Sequence, residues 1–572
     1  MDKRRVIRSA GVVSGFTSLS RLLGLARDVL MAGFFGTSIF MSAFVVAFTI
    51  PNLFRRLFGE GALSSALVPV LVETREKEGD DAAWVLINRV FSILAVVLTL
   101  ITVVVILFVA TVSVASPKTA AVLELLQIMM PYMIFICLAA VSMGILNSFH
   151  HFAVSAFAPS VLNILWIGTL LFVVPNIGNS PEEKIRAVAW AVLLAGFLQW
   201  AVQWPVLRHF GWRPFKKPTP PFGHPSREGK ACLVHGGSEF PSIGGVPEGR
   251  GGFSKCTEGV SPALPMIGKS DTNDKVKKIL CLMGPAALGM AVLQLNVMID
   301  RFLAMWVSAE APSALFFSER LIYLPLGIFA TALGTVLLPV FSRHESTHDR
   351  EQIREGVADG IRHLLFIMIP AAVGLLVLAH PIVQMIFEWK EFGEASTWMT
   401  AIALQCYAPG LIVFSLAKVF VPAFYGMQDT KTPVKVGALA VGINLILNIT
   451  FILTLPQPVK HAGIAFATVL SSVFSMSCLA LILQRRIGRP DWKQVGATAI
   501  RAFAAAALMA VVVLLVHGLF STACGEPAES IGKIGQIVSV LVSIAAGSGV
   551  YLLASVLFRA PEIREFLKAI RR

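Results

Sequence analysis

Long apolar segments follow one another along almost the whole chain, and short polar loops separate them. Each has roughly the 20 predominantly apolar residues that an α-helix needs to cross a bilayer, or more. The pattern predicts an all-α polytopic membrane protein with about fourteen transmembrane helices. Their approximate ranges are 8–33, 38–70, 84–114, 121–148, 153–176, 185–207, 277–306, 312–342, 355–380, 397–424, 432–455, 461–484, 494–519 and 531–558.

Basic residues in the loops alternate from one side of the predicted membrane to the other. One set of loops holds clusters of them, at Lys3, Arg4, Arg5, Arg8, Arg75, Lys77, Arg213, Lys216, Lys217, Arg343, Arg350, Arg354, Lys431, Lys435, Arg485, Arg486, Arg489 and the tail. The other set holds only scattered lysines, at Lys118, Lys184, Lys390, Lys460 and Lys533. Lysine and arginine favour cytoplasmic loops, so both termini are predicted to be cytoplasmic. That orientation requires an even number of spans, in agreement with fourteen.

The composition supports a membrane protein and argues against other classes. The chain has 572 residues, of which 56% are hydrophobic and only 14% charged, whereas about a quarter of a soluble domain is charged. The formal charge of +14 lies mostly in loops, where topology explains it, so no nucleic-acid partner is predicted. The seven cysteines form no disulfide framework. No cleavable signal is expected, because the basic start leads directly into a span that contains Arg21.

One long segment, 213–276, differs from the rest of the chain. It is rich in proline, glycine and serine, and it lacks the apolar surface that a folded core requires. We predict a disordered cytoplasmic linker. Its potential zinc ligands have a spacing that fits no closed zinc site, and they are His224, Cys232, His235 and Cys256.

Two halves of the chain resemble each other at an offset near 270 residues. The segment GALSSALVP at 61–69 corresponds to TALGTVLLP at 331–339, and Asp28 in the first span corresponds to Asp300 in the seventh. Chance similarity between helices rich in leucine, alanine and glycine is the alternative. A repeat of six spans gives both copies the same orientation, and parallel repeats build two-lobed transporters whose site lies between the lobes.

The repeat and the linker together divide the chain. The predicted units are an N-lobe with spans one to six at 1–212, the linker at 213–276, a C-lobe with spans seven to twelve at 277–486, and two further helices with the tail at 487–572.

Six charged residues lie inside the first two predicted spans. A charge at membrane depth is costly and normally faces the protein interior or a watery cavity. Arginine stays protonated and presents a planar fork that fits phosphate oxygens. Structural ion pairs between packed helices are the alternative, but the arginines outnumber the acids. We therefore predict a cationic cavity for an anionic, phosphate-bearing substrate.

The candidate substrate-binding residues come from three spans. Asn52 shares a helical face with Arg56 and Glu60 in the second span, and Glu319 and Arg320 begin the eighth. The full set is Arg21, Arg27, Asp28, Asn52, Arg55, Arg56, Glu60, Glu319 and Arg320.

A second polar group belongs to the C-lobe and suggests a sodium site. It consists of Asp300, Asn444, Asn448 and Thr468, whose hard oxygen donors suit a small cation. Asparagines that hydrogen-bond across membrane helices are the commoner explanation, and both remain open. No cofactor is expected, apart from sodium as a coupling ion. The chain has no G-x-x-x-x-G-K-[ST] pattern, so no ATP hydrolysis is expected.

Several distinctive segments lie along the chain, at SRLLGLARD (20–28), PNLFRRLFGEGALSSALVP (51–69), ILNSFHHFAVSAFAP (145–159), SERL (318–321), ALGTVLLP (332–339) and PAFYGMQDTKTPVK (422–435). Together they closely resemble the MurJ (MviN) lipid II flippases of the multidrug/oligosaccharidyl-lipid/polysaccharide exporter superfamily. The resemblance implies two six-helix lobes plus two helices that form a groove for a lipid tail. It also implies a transporter that moves undecaprenyl-pyrophosphate-linked peptidoglycan precursor, lipid II, from the inner to the outer leaflet of the bacterial inner membrane.

The resemblance also suggests site residues and partners. The family's cavity arginines match Arg21, Arg27, Arg55 and Arg320, with Asp28 and Glu60 beside them. Lipid II and membrane lipids are the expected partners of a monomeric protein that works by alternating access. Two positions depart from the pattern, because some family members carry acids where Ser42 and Tyr323 stand here.

Two other function classes remain as alternatives. One is a related exporter of another lipid-linked glycan. The other is a membrane enzyme acting on a lipid pyrophosphate, which would show clustered acids or histidines near a membrane face. The acids of this chain are few and lie deep in the predicted spans, which favours a transporter.

Overall fold

The computed structural model describes residues 3–57, 62–112, 116–149, 151–178, 180–213, 272–347, 349–523 and 533–563. Within these ranges every regular element is helical. The α-helices are α1 (Lys3–Phe35), α2 (Ile39–Phe54), α3 (Ala62–Glu78), α4 (Asp80–Thr111), α5 (Pro117–Met129), α6 (Tyr132–Ser148), α7 (Phe152–Gly168), α8 (Pro181–Ala201), α9 (Trp204–His209), α10 (Thr272–Val307), α11 (Ala311–Pro325), α12 (Thr331–Ser346), α13 (Arg350–Val377), α14 (Ala379–Phe387), α15 (Glu394–Tyr407), α16 (Gly410–Gly426), α17 (Lys431–Thr454), α18 (Lys460–Ile487), α19 (Trp492–Ala523) and α20 (Lys533–Leu557).

The helices have the length and apolar character of membrane spans, which confirms an all-α polytopic membrane protein. In the described part of the chain, ten continuous helical segments are long and apolar enough to cross a membrane. The number rises to twelve if each of two strongly bent helix pairs is counted as one span. The helices α1 and α10, with 33 and 36 residues, are also long enough but carry charges in their interiors. Together these elements are consistent with the fourteen predicted spans.

The repeat of the sequence is also visible in the shapes of the helices. The pair α5–α6 bends by 46° at Pro131, and the pair α15–α16 bends by 47° at Pro409. A π-helical turn follows Pro51 at 55–57, and another follows Pro325 at 326–330. Proline removes a backbone donor and favours such breaks. We call α1–α9 the N-lobe and α10–α18 the C-lobe.

The last two helices are attached to the C-lobe. Tyr551 of α20 donates a hydrogen bond of 2.6 Å to the carbonyl oxygen of Phe366 in α13. Beyond α20, the Glu562 carboxylate accepts hydrogen bonds from Arg362 Nε at 2.9 Å and Thr498 Oγ1 at 2.7 Å. Burial raises the pKa of Glu562, but these partners outweigh burial and lower it overall. The α19–α20 pair therefore belongs to the C-lobe side of the molecule.

Two sequence predictions fall wholly or partly outside the described residues. The predicted linker lies there for residues 214–271, and so does Glu60. The helix α10 already begins at Thr272, so the prediction of a linker extending to residue 276 is wrong at its C-terminal end. The other predicted domain boundaries stay predictions.

The two lobes touch at the end of the bundle that holds the α1–α2 turn, which we call the Gly36 face. Thr37 and Ser396 share a hydrogen bond of 2.8 Å between their hydroxyl oxygens. The Ser42 hydroxyl donates to that of Ser313 at 2.9 Å. All four of these side chains are buried, so the lobes are closed against each other at this face.

A C-lobe loop at 388–393 reinforces that contact by packing onto α1. Trp389 Nε1 donates to the carbonyl oxygen of Val29 at 2.9 Å, and the Glu391 backbone N–H donates to that of Gly33 at 3.1 Å. A Cβ atom added to Gly33 would lie 1.9 Å from the Trp389 ring. Glycine at this position therefore provides the notch that accepts the indole.

Ion pairs join the lobes at the opposite end, which we call the Glu73 face. Lys278 of α10 lies 3.1 Å from Glu73 of α3, and Lys275 lies 2.6 Å from Glu78. Hydrogen bonds from Lys77 and Lys278 lower the pKa of Glu73 to about 2. The Glu73 carboxylate therefore stays ionised well below its ordinary pKa. Its ion pairs with Lys77 and Lys278 are lost only as the pH falls toward 2.

We expect Gly33→Ala to open the Gly36 face, because the new methyl group and the Trp389 indole cannot occupy the same space. The measurement is disulfide formation between cysteines introduced at Thr37 and Ser396, in a background without native cysteines. Gly33→Ala should lower the cross-linking yield severalfold. Gly442→Ala is the matched control, since its added Cβ meets no atom within 4 Å. Equal yields in both variants would contradict the notch.

Candidate functional site

A cavity lies between the lobes. Helices α1, α2 and α7 line one side, and α10 and α11 line the other. Its charged lining residues are Arg27, Asp28, Arg56, Arg301, Glu319 and Arg320. Four guanidinium groups and two carboxylates give the lining a formal charge of +2.

The Asp28 carboxylate lies between arginines from the two lobes. Its Oδ1 accepts hydrogen bonds from Arg27 Nε at 3.0 Å and Nη2 at 2.7 Å. Its Oδ2 is 3.2 Å from Arg320 Nε of the C-lobe. Asp28 is only 3% exposed. A single buried anion therefore holds Arg27 and Arg320 on opposite sides of the lobe interface.

Both of these arginines also rest on aromatic rings. The Arg27 guanidinium carbon lies 4.6 Å from the centroid of Trp166, and that of Arg320 lies 4.3 Å from the centroid of Phe316. An arginine over a ring face gains cation–π attraction, most strongly where water is excluded. The rings support the charged groups on one face and leave their edges for hydrogen bonding.

Arg301 is neutralised within the C-lobe. Its Nη2 lies 2.5 Å from Glu319 Oε2, and its Nη1 donates to the carbonyl oxygen of Pro312 at 2.8 Å. The Tyr407 hydroxyl donates to the other Glu319 oxygen at 3.2 Å. Arg301 is only 5% exposed. Glu319 therefore belongs to an internal C-lobe network as well as to the cavity wall.

The structure separates the two adjacent arginines of the second span. Arg56 lines the inter-lobe cavity and donates to Gln294 Oε1 of α10 at 2.9 Å. Arg55 donates from Nε to Asn52 Oδ1 at 2.8 Å and lines a different cavity inside the N-lobe. Neighbouring residues point about 100° apart on a helix. Among the described residues, Arg56 and not Arg55 therefore lines the cavity with Arg27 and Arg320, and a shared substrate volume for Arg55 stays a prediction.

Arg21 is not among the described residues that line the inter-lobe cavity. It precedes Asp28 by seven residues, or about 10 Å along a helix. A Cβ atom on Gly327 would lie 3.0 Å from Arg21 Nη1, so Arg21 contacts the wide turn at 326–330 of the C-lobe. Asn52, in contrast, lines the cavity as expected from its spacing to Arg56. Contact of each predicted residue with a substrate stays a prediction.

Several cavity residues were not among the sequence predictions. Arg301 was visible as a charge beside Asp300 in an apolar span. Gln294 is one of the few polar residues of that span. Trp166 and Phe316 gave no signal, because aromatic residues are common in apolar helices and only the fold shows which of them lies beneath a guanidinium.

The four residues of the proposed sodium site converge within the C-lobe. Asp300 Oδ1 accepts from Asn444 Nδ2 at 2.8 Å and Asn448 Nδ2 at 2.7 Å, and Oδ2 accepts from Thr468 Oγ1 at 3.1 Å. Asp300 is 7% exposed and the two asparagines are 1% or less.

The donor set of this cluster fits a small cation as well as a helix-to-helix hydrogen-bond network. The buried Asn448 Oδ1 has no hydrogen-bond partner among the described residues. Oxygen and nitrogen of an asparagine amide are assigned from their partners. Rotated amides would turn oxygens of Asn444 and Asn448 toward the place that a cation shares with Asp300.

A sequence model of the family described as "Lipid II flippase MurJ" matches residues 31–527. The chain belongs to this family. It is 31% identical over 489 residues to a lipid II flippase MurJ of Burkholderia cenocepacia, covering 84% of each chain. It is 30% identical over 570 residues to a probable lipid II flippase MurJ of Rhizobium tropici, covering 98% of this chain and 96% of the relative. The resemblance found in the sequence is therefore confirmed.

Solved structures show the same fold. A lipid II flippase MurJ in an inward closed conformation matches with a TM-score of 0.71 at 22% identity, covering 96% of this chain and 98% of the other. An inward-facing multidrug resistance MATE transporter of the MOP superfamily matches with a TM-score of 0.59 at 17% identity, covering 84% and 98%. The protein is thus a multi-pass membrane transporter of the MurJ family and not an enzyme.

Proposed function

We propose that this protein moves lipid II from the inner to the outer leaflet of the bacterial inner membrane. The observation that carries the proposal is the inter-lobe cavity with a formal charge of +2. The pyrophosphate that links the glycan of lipid II to its polyprenyl tail carries two negative charges. Membership of the MurJ family supports the same substrate.

The physical need for such a cavity follows from the substrate. Its pyrophosphate, sugars and peptide cannot cross hydrocarbon without replacing their hydration, because each unsatisfied polar group costs several kcal/mol there. Guanidinium groups supply charge and hydrogen-bond donors together. The very long apolar tail remains in lipid, beside the last two helices, α19 and α20.

The cavity geometry gives a mechanism for coupling the substrate to the lobes. A phosphate group that enters the cavity takes the place of the Asp28 carboxylate between Arg27 and Arg320. Because these arginines belong to different lobes, the anion they share determines how the lobes meet. Rocking of one lobe against the other then carries the head group across, as in other transporters with parallel repeats.

The site arginines are tested by comparing substitutions inside and outside the cavity. Arg27→Ala, Arg56→Ala and Arg320→Ala should each reduce lipid II flipping in proteoliposomes at least tenfold, since a charged hydrogen bond contributes about 1.5–3 kcal/mol. Lysine should restore only part of the activity, because it keeps the charge and loses the fork.

Arg186→Ala is the matched control, because Arg186 pairs with Glu182 on α8, 2.6 Å away and outside the cavity. It should flip lipid II at the rate of the unsubstituted protein. Loss of thermal stability in the alanine variants, with lysine behaving as arginine does, would instead indicate a structural role.

Sodium is the proposed coupling ion, held by Asp300, Asn444, Asn448 and Thr468. These residues would supply a carboxylate, a hydroxyl and, once the two asparagine amides are rotated, two amide oxygens. The bound cation would supply positive charge that neutralises Asp300 and draws α10, α17 and α18 together. A downhill sodium gradient would then favour one arrangement of the C-lobe over the other.

Asp300→Asn should abolish any sodium-dependent rise in melting temperature of the purified protein, because the site loses its only carboxylate. The measurement compares sodium with choline chloride at equal ionic strength. Asn147→Ala, which alters an amide of the N-lobe, should retain the sodium response. An identical response to sodium in Asp300→Asn and the unsubstituted protein would remove sodium from this site.

Both termini and the linker are proposed to be cytoplasmic, on the basis of the alternating charge of the loops. Cys232 is a native reporter of the linker. It should react with a membrane-impermeant maleimide only after the cells are permeabilised. Rapid labelling of Cys232 in intact spheroplasts would show the opposite orientation.

A further inference from the structure

The guanidinium of Arg27 is held by a helix other than its own. Its Nη1 donates a hydrogen bond of 2.9 Å to Asn163 Oδ1 on α7. One turn further along α7, the Trp166 ring lies beneath the guanidinium. Asn163 is 6% exposed and Trp166 3%. Two buried side chains of α7 therefore fix both the edge and the face of one cavity arginine.

These two side chains are themselves anchored to α1. Asn163 Nδ2 donates to the carbonyl oxygen of Ser20 at 3.0 Å, and Trp166 Nε1 donates to Met31 Sδ at 3.2 Å. The Ser20 carbonyl oxygen can only accept a hydrogen bond, so the NH₂ group of Asn163 must face it. The Asn163 oxygen is then directed toward Arg27. The orientation of the amide is thus determined by its partners.

This arrangement selects which edge of Arg27 meets an anion. Asn163 occupies the Nη1 edge and Trp166 covers one face, so the edge formed by Nε and Nη2 points at the cavity. That edge now binds Asp28 Oδ1, and it is one of the edges with which arginine binds phosphate by two hydrogen bonds. We propose that Asn163 and Trp166 are positioning residues that present the Nε/Nη2 edge of Arg27 to a phosphate group of the substrate. This inference rests on the function proposed above.

The two arginines that flank Asp28 then play different parts. The Arg27 side chain is 12% exposed, whereas that of Arg320 is 37% exposed. Arg320 stacks on Phe316, one turn earlier on its own helix. A group that is ordered before binding loses less conformational freedom when the ligand arrives. Arg27 is the preorganised partner of the anion, and Arg320 is the one that adjusts.

The test measures binding of undecaprenyl pyrophosphate to the purified full-length protein. Asn163→Leu keeps the approximate volume and removes the acceptor, so affinity should fall about tenfold, the value of a hydrogen bond to a charged group. Trp166→Leu should weaken binding severalfold, and Trp166→Phe, which keeps a ring face, should restore most of it. Gln203→Leu is the matched control. Gln203 is a buried N-lobe amide that donates to the Ala139 carbonyl oxygen at 3.1 Å, and its loss should leave affinity unchanged.

A double-mutant cycle separates positioning from general stability. In an Arg27→Met background, Asn163→Leu should cause no further loss of affinity, because the group that it orients is absent. A second, additive loss would overturn the inference, as would equal affinity of Asn163→Leu and the unsubstituted protein. If Asn163→Leu fails to fold, Asn163→Ala and Trp166→Leu carry the same comparison. Failure of the unsubstituted protein to bind the probe would contradict the proposed function instead.

Discussion

The cost of a buried charge inside a membrane is the constraint on which the rest of this structure depends. Arg27, Arg320 and Arg56 cannot face lipid, so the lobes meet around them and Asp28 lies between the first two. Removing one partner of such a group would leave an uncompensated charge, which costs more than the pair contributes. An anion at this point is therefore obligatory, whether it comes from the protein or from a ligand, and the closed arrangement of the lobes depends on it.

Contacts at the two faces are of different kinds, and the difference suits a transporter. At the Gly36 face, closure depends on buried hydroxyl pairs and on the fit of Trp389 into the notch at Gly33. At the Glu73 face, partly exposed ion pairs join α3 to α10. Exposed pairs of this kind contribute little individually, whereas an indole in a notch requires close shape complementarity. In this conformation the Gly36 face is the more firmly closed of the two.

Much of the fold was predictable, and the limits of prediction have physical causes. Helix length and hydropathy give the spans, and prolines at equivalent places in the repeat give the bends. Which cavity each of Arg55 and Arg56 faces was not predictable from the sequence. The helix widens into a π-helical turn at 55–57, and such a turn changes the direction in which each side chain points. The four-residue spacing placed Asn52 and Arg56 on one face correctly, because most of the segment between them precedes that turn.

The positioning residues illustrate a further limit, since Asn163 and Trp166 act only through the tertiary contact between α7 and α1. A lone asparagine in an apolar span predicts a helix-to-helix hydrogen bond, but its partner is known only from the fold. Placing the orienting groups in the N-lobe gives that lobe a fixed half-site, while the C-lobe contributes an adjustable arginine and the polar cluster at Asp300. A fixed anion site on one lobe and a cation-responsive network on the other would allow each lobe to sense a different ligand, with the shared anion as the link between them.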